Sequence, residues 1–134
     1  MKIAASVINT RHQHNVEVST DGKPKKIAIP SGASGFGSSV NGGELLLLSL
    51  ATSYCNDIYR EAEKRAIIVS AIEVECTGEF GAAGEPGFNF QYKVKLAAEA
   101  SPAQIDELIR HTDTVAEIQN TLRKGINIQL VNAE

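Results

Sequence analysis

The stretch from Glu44 to Ile67, ELLLLSLATSYCNDIYREAEKRAI, constrains this chain most. It runs without Gly or Pro and is rich in Leu, Ala, Glu, Lys and Arg, the residues that lose least on entering a helix. Gly42 and Gly43 mark the junction from loop to helix. Its first half, Leu45 to Ala51, is apolar on nearly every side, with Ser49 the only interruption. A helix that is apolar all round calls for burial all round. A chain of 134 residues can do this only by wrapping the helix tightly or by pairing with a second subunit. The charges from Asn56 onward exclude a membrane span.

The rest of the chain reads as strands and short helices around that segment. Residues 2–9 and 14–20 are expected strands, with Val16 and Val18 alternating against Glu17 and Ser19. Asp21-Gly22 is a hairpin turn signal, and Lys26 to Ile29 forms a third strand, stopped by Pro30. Residues 31–43 form a Gly/Ser loop that reads as a flexible connector or a lid. It lacks the Lys-Ser/Thr pair of a P-loop, and Val40 stands where a dinucleotide fingerprint needs Gly. Ile72, Val74, Cys76 and Phe80 alternate with Glu73, Glu75, Thr77 and Glu79. Beyond a turn at Gly81–Gly87, Phe88 to Leu96 alternate with Asn89, Gln91, Lys93 and Lys95. Glu on one strand and Lys on the other favour antiparallel pairing. Ser101-Pro102-Ala103-Gln104 opens a helix running to about His111. Thr114 to Glu117 repeats the capping pattern for a second short helix closed near Gly125, and Ile126, Ile128 and Leu130 alternate as a last strand. The order is βββ-α-ββ-αα-β, a single α+β domain over residues 1–134.

Composition narrows the function classes. A net charge of −3 leaves no electrostatic footprint for nucleic acid. The only basic cluster, Lys23, Lys25 and Lys26, reads as a solvated hairpin end. With two cysteines and no export signal, a cytoplasmic protein with reduced thiols is expected. His12 and His14 have metal-ligand spacing but lack a third ligand nearby, so no metal and no cofactor are expected.

Helical geometry sorts the candidate site residues. Cys55 shares a side with Leu48, Ala51, Ile58, Tyr59 and Ala62 and reads as a packing residue. Ser49, Thr52, Ser53, Asn56 and Arg60 lie on the other side. Buried polar groups need partners, so this polar stripe is expected to line a cleft. Cys76 reads as a core residue, and the run Glu61, Glu63, Lys64, Arg65 as a solvated helix end.

The Gly-rich loop, then Asn41-Gly-Gly-Glu-Leu-Leu-Leu-Leu, then a helix ending Glu63-Lys64-Arg65, resembles the OsmC/Ohr family of osmotically inducible and organic hydroperoxide resistance proteins. Asn120 to Ile126 resembles that family's C-terminal segment. The resemblance implies an intertwined homodimer with the central helices buried between subunits. Its peroxidase members use a reactive cysteine, a resolving cysteine, and an Arg and Glu near the first thiol. In the family the reactive thiol stands twelve residues after the Asn that opens the helix, which here is Ser53. Gly42 replaces the family's Pro, and Glu44 comes one step late. Ala116, followed by Glu117, stands where the resolving thiol is expected. Cys55 lies two residues on, about 200° around a helix. The resemblance therefore points to a homodimer that has lost thiol peroxidase chemistry and binds a small molecule in a cleft lined by Ser49, Thr52, Ser53, Asn56 and Arg60. The alternative is a one-cysteine hydroperoxide reductase using Cys55, with Arg11 and Glu44 assisting. A third reading is a structural or partner-binding domain.

Overall fold

The computed structural model describes residues 1–131, which fall into two compact units divided at Leu45/Leu46. In the first, β1 (Ile3–Thr10), β2 (Gln13–Thr20) and β3 (Lys23–Ile27) form an antiparallel sheet in the order β1-β2-β3. The register pairs Thr10 with Gln13 and Thr20 with Lys23, so each hairpin turns on two residues. Asp21 and Gly22 both take positive φ, 49° and 77°, as the mirror-image turn of a tight hairpin demands. Val7, Val16 and Ile27 align in one row across the sheet. The third strand lies at Lys23–Ile27, earlier than the Lys26–Ile29 read from the sequence. Pro24, which has no N–H to give, is tolerated because β3 is an edge strand. Lys23, Lys25 and Lys26 are exposed as expected.

The Gly/Ser loop is fastened to the first hairpin. The Asn9 side chain behaves as a strand neighbour would: its Oδ1 accepts the Gly37 N–H and its Nδ2 donates to the Gly37 carbonyl, both at 3.0 Å. Asn9 Nδ2 also lies 2.9 Å from His14 Nδ1. The His12 N–H donates to the Gly35 carbonyl. Gly35 is buried at φ +87°, and a Cβ there would come 2.5 Å from the His12 ring, so only glycine fits under that ring.

Helix α1 (Gly42–Lys64) opens with a capping pair: Asn41 Oδ1 accepts the Glu44 N–H at 2.8 Å and Glu44 Oε1 accepts the Asn41 N–H at 3.0 Å. It closes with Ala66 at φ 54°, the Ala66 N–H donating to Glu63 and the Ile67 N–H to Ala62, the double bond of a left-handed helix end.

In the second unit, β4 (Val69–Glu79) and β5 (Phe88–Ala98) pair antiparallel. The inward rows Ile72–Leu96, Val74–Val94 and Cys76–Tyr92 alternate with the outward charge rows Glu73–Lys95 and Glu75–Lys93. Helix α2 (Pro102–Val115) begins with the expected reciprocal cap between Ser101 and Gln104. Helix α3 (Glu117–Lys124) follows after one residue. The core is built from Tyr54, Ile58, Ala62, Leu108 and Ala116, packed on the inward side chains of β4 and β5.

Two expectations change. Thr114 does not cap α3: α2 runs on to Val115, and the Thr114 hydroxyl donates back to the His111 carbonyl within that helix. Ala116 stands at the α3 N-cap with no side-chain bond. The alternating segment Ile126–Leu130 is not a strand among the described residues, and Ile126, Ile128 and Leu130 are exposed. Alternation prepares a segment for a ladder, but a strand exists only where a partner supplies the hydrogen bonds. Within the single chain, α1 buries one face. Leu50, Tyr54, Ile58 and Ala62 face the core, while Leu45 and Leu48 stay 39% and 58% exposed.

Candidate functional site

At about 100° per residue, α1 resolves into two stripes. One carries Leu50, Ser53, Asp57, Arg60 and Glu61. The other carries Leu48, Thr52, Cys55 and Tyr59.

The first stripe holds the charge. Glu61 is buried, yet three cations and an imidazole reach it: Lys64 Nζ at 2.9 Å, Arg60 Nε at 3.0 Å, Arg65 Nη1 at 3.8 Å and the His111 ring Nε2 at 3.1 Å. Hydrogen bonds from Lys64 and then Arg60 pull its carboxyl down to about 2. The sequence reading of this run as a solvated helix end is therefore corrected at Glu61. The spacing of Arg60, Glu61, Lys64 and Arg65 carried the signal; what was missing was α2, which covers Glu61 and brings His111.

Arg60 is committed on every side. Its Nη1 lies 3.2 Å from Asp57 Oδ1 and 2.7 Å from Glu117 Oε1, and Nη2 donates to the Val115 carbonyl. It thereby ties α1 to the start of α3. Asp57 is buried, and its Oδ2 has no partner among the described residues. Burial first, then the neighbouring Glu117, pushes the Asp57 carboxyl up, against the pull of Arg60. The folded value lies above the unfolded one. The stability it contributes is thus complete below the ordinary carboxylate range and is lost as pH rises through the raised value. Asp57→Asn removes that titration and supplies an N–H. It is expected to leave stability at pH 7 unchanged or up to about 1 kcal/mol higher, because replacing a poorly paired buried charge is often neutral or favourable. Urea denaturation at pH 4 and pH 7 checks this; a loss above about 1 kcal/mol at pH 7 would contradict it.

The expected cleft residues divide between the stripes. Ser53 is half-buried between Leu50, whose carbonyl accepts Gln119 Nε2 at 3.2 Å, and the Arg60 clamp. Ser49 is exposed, its hydroxyl donating to the Leu46 carbonyl at 2.6 Å. Thr52 and Asn56 are exposed and share a shallow depression with Ala51, Cys55, Ile72 and Val74. Cys55 is half-buried there, with no charged group lining the depression. Cys76 is half-buried on β4, and burial pushes its thiol up. Glu44 caps α1, and Arg11 is exposed at the β1–β2 turn. Sequence reasoning missed Asp57, Glu61, His111, Glu117 and Gln119, the groups that the helix crossing makes into a network.

The comparisons with known proteins agree with this architecture. A sequence model of the family described as OsmC-like protein matches residues 35–131. No curated protein matches the sequence. Among solved structures, an OsmC-like protein from Mycoplasma pneumoniae is 17% identical with a TM-score of 0.66, covering 92% of this chain and 88% of its own. An OsmC-like protein of unknown function from Vibrio cholerae is 14% identical with a TM-score of 0.61, over 90% and 92% of the two chains. A third, from the same organism and described as an organic hydroperoxide resistance protein, has captopril bound in one of its active sites. It is 22% identical with a TM-score of 0.55, over 96% and 89%. At these identities the structures speak for the fold, and the match across residues 35–131 speaks for the family. The chain belongs to the OsmC-like protein family.

Proposed function

We propose that this chain is a single-domain, cytoplasmic OsmC-like homodimer that does not run a thiol peroxide cycle and instead binds a small molecule beside the polar face of α1. The observation that carries the reading is Ser53, with Ala116 at the other expected thiol position. In the two-thiol cycle a thiolate attacks the peroxide oxygen, the O–O bond breaks, the alcohol leaves and a sulfenic acid remains. A second thiol then displaces water and closes a disulfide. A serine has no such oxidation ladder.

The remaining thiols are poorly placed for the task. A reactive cysteine needs a cationic or helix-terminal neighbour to hold it as thiolate. Cys55 sits mid-helix in a depression without charge, and Arg60 is already shared by three carboxylates. Support for a dimer comes from the exposed apolar groups Leu45, Leu48 and Tyr59 on α1 and from Ile126, Ile128 and Leu130. These are numerous for a chain that stands alone in water. The captopril held by the Vibrio cholerae relative supports a ligand-sized space in this fold.

One specific observation favours the second reading, in which Cys55 acts alone: its thiol is not fully buried. Dithiol-dependent turnover of an organic hydroperoxide by wild type and by Cys55→Ser separates the two. No turnover above the reductant-only background is expected from either protein. Turnover by the wild type that disappears in Cys55→Ser would establish the one-cysteine mechanism.

A further inference from the structure

Asp57 is 6% exposed, and its Oδ2 is a sealed oxygen without a donor among the described residues. Arg60 Nη1 stands between two carboxyls, 3.2 Å from Asp57 Oδ1 and 2.7 Å from Glu117 Oε1. The Asp57 and Glu117 side chains are themselves in hydrogen-bonding contact. Two ionised carboxylates cannot make such a bond, because each offers only acceptors. One proton between them accounts for both observations. It turns Asp57 Oδ2 into a donor, and the Glu117 carboxylate accepts.

The surrounding charges favour the same arrangement. From α1, Asp57 is faced by Arg60, Glu61 and the Tyr54 hydroxyl, and from α3 by Glu117. Helix α2 brings the Val115 carbonyl to Arg60 Nη2 and sends His111 to Glu61, while Tyr92 of β5 is bound to Asp113. Lys64 and Arg65 serve Glu61 and Glu107. A single guanidinium is thus left for Asp57 and Glu117, and it serves Glu61 as well. Carboxyls sharing one site do not both ionise readily. Burial first, then Glu117, raises the Asp57 carboxyl. A bond from its own backbone N–H first, helped by Arg60, lowers that of Glu117. The proton therefore rests on Asp57. It comes and goes through Glu117, whose side chain is 63% exposed.

We propose that Asp57 and Glu117 share one proton, and that this proton fastens the start of α3 to the middle of α1 as a pH-operated latch. Ala116 gives α3 no side-chain cap. Among the described residues, the polar links from α3 to α1 are Glu117 at that end and Gln119 at the Leu50 carbonyl. When the proton leaves, Arg60 faces three carboxylates. Asp57 and Glu61 are buried and stay, whereas the exposed Glu117 is free to turn into water. The latch is closed at low pH and released as pH rises through the titration of the pair, the sign that follows when the folded chain holds the proton more tightly than the unfolded one. It operates whether or not a small molecule binds beside α1.

The test follows the side-chain carboxyl carbons of the full chain by nuclear magnetic resonance from about pH 3 to about pH 9. The Asp57 and Glu117 carbons are each expected to move in two steps, at the same two pH values, as a pair sharing a proton does. In Glu117→Gln, Asp57 is expected to titrate in one step, lower by about one pH unit, because the neighbouring charge is gone. The latch itself is read at the Asn120 amide, which donates to the Ala116 carbonyl in the first turn of α3. Its hydrogen-exchange protection is expected to fall about tenfold once the upper step is passed. In Asp57→Asn, whose amide is a permanent donor, that protection is expected to stay level across the range. The proposal is overturned by independent single steps at the two carbons, or by an Asp57 step that Glu117→Gln leaves in place. It is overturned equally if Asn120 protection in the wild type is the same on both sides of the upper step.

Discussion

Glu61→Ala is expected to lower the unfolding free energy by about 3 kcal/mol, and the melting temperature by roughly 10 °C. Glu61 is 2% exposed and is the shared partner of Arg60, Lys64, Arg65 and His111. Removing it strands several cations at once. Lys64, Arg60 and His111 still reach solvent, which places the cost at the low end of the range of about 3–5 kcal/mol for breaking a buried pair. The pH dependence gives an independent check. The folded carboxyl lies at about 2 against an ordinary 4.5, so its contribution is complete above the ordinary value and disappears as pH falls through about 2. Wild type should therefore lose stability between those two pH values more steeply than Glu61→Gln does. A change within about 1 kcal/mol for Glu61→Ala in urea titrations at pH 7 would show that the cluster rehydrates freely and does not hold α1 to α2.

Tyr54→Ala should cost more, about 4 kcal/mol. The ring is fully buried at the centre of the core, 5.0 Å from the Tyr92 ring in a tilted pair, and its hydroxyl donates to the Ile109 carbonyl at 2.7 Å. One residue thus joins α1 to β5 and α2. Tyr54→Phe keeps the ring and drops only the hydrogen bond, for a loss of about 1 kcal/mol. Calorimetric melts of the two variants separate packing from hydrogen bonding. Equal losses would mean that the hydroxyl, and not the ring, organises the crossing.

What the sequence made legible follows from how local each signal is. The β4–β5 hairpin was readable because its two faces alternate over eleven residues on each strand, with Glu rows opposite Lys rows. The Ser101–Gln104 cap was readable because all its bonds lie within one turn. The Asp21-Gly22 turn needed only its two positive φ angles. Where the outcome depended on distant partners, local pattern failed. Thr114 carries a capping residue's chemistry, yet α2 had enough packing through Leu108 and Thr112 to continue past it. Ile126, Ile128 and Leu130 carry a strand's alternation without a described ladder.

The candidate site divides the same way. Helical spacing separated Ser53 and Arg60 from Leu48, Cys55 and Tyr59, but it set Thr52 and Asn56 with Ser53, and Ile58 and Ala62 with Cys55, whereas Thr52 and Asn56 lie beside Cys55 and Ile58 and Ala62 are buried in the core. The polar stripe is drawn into an ion network by α2 and α3, so Arg60, expected on a cleft wall, works as a clamp between Asp57, Glu61 and Glu117. The apolar Leu48 and Tyr59 of the other stripe stay exposed in the single chain. The spacing of Arg60, Lys64 and Arg65 around Glu61 was visible in the sequence, but its burial depends on α2, which brings His111 from fifty residues later. Gln119 was invisible for the same reason, since its significance lies in a carbonyl sixty-nine residues away.

On the function proposed above, no thiol of this chain reduces hydroperoxides. Intact-protein mass spectrometry tests it most directly, after the reduced protein is mixed with one equivalent of an organic hydroperoxide without added reductant. The expected result is an unchanged protein mass, with the hydroperoxide recovered intact. A mass gain of one oxygen on Cys55, or the loss of two hydrogens as Cys55 and Cys76 join, with matching conversion of hydroperoxide to alcohol, would contradict it.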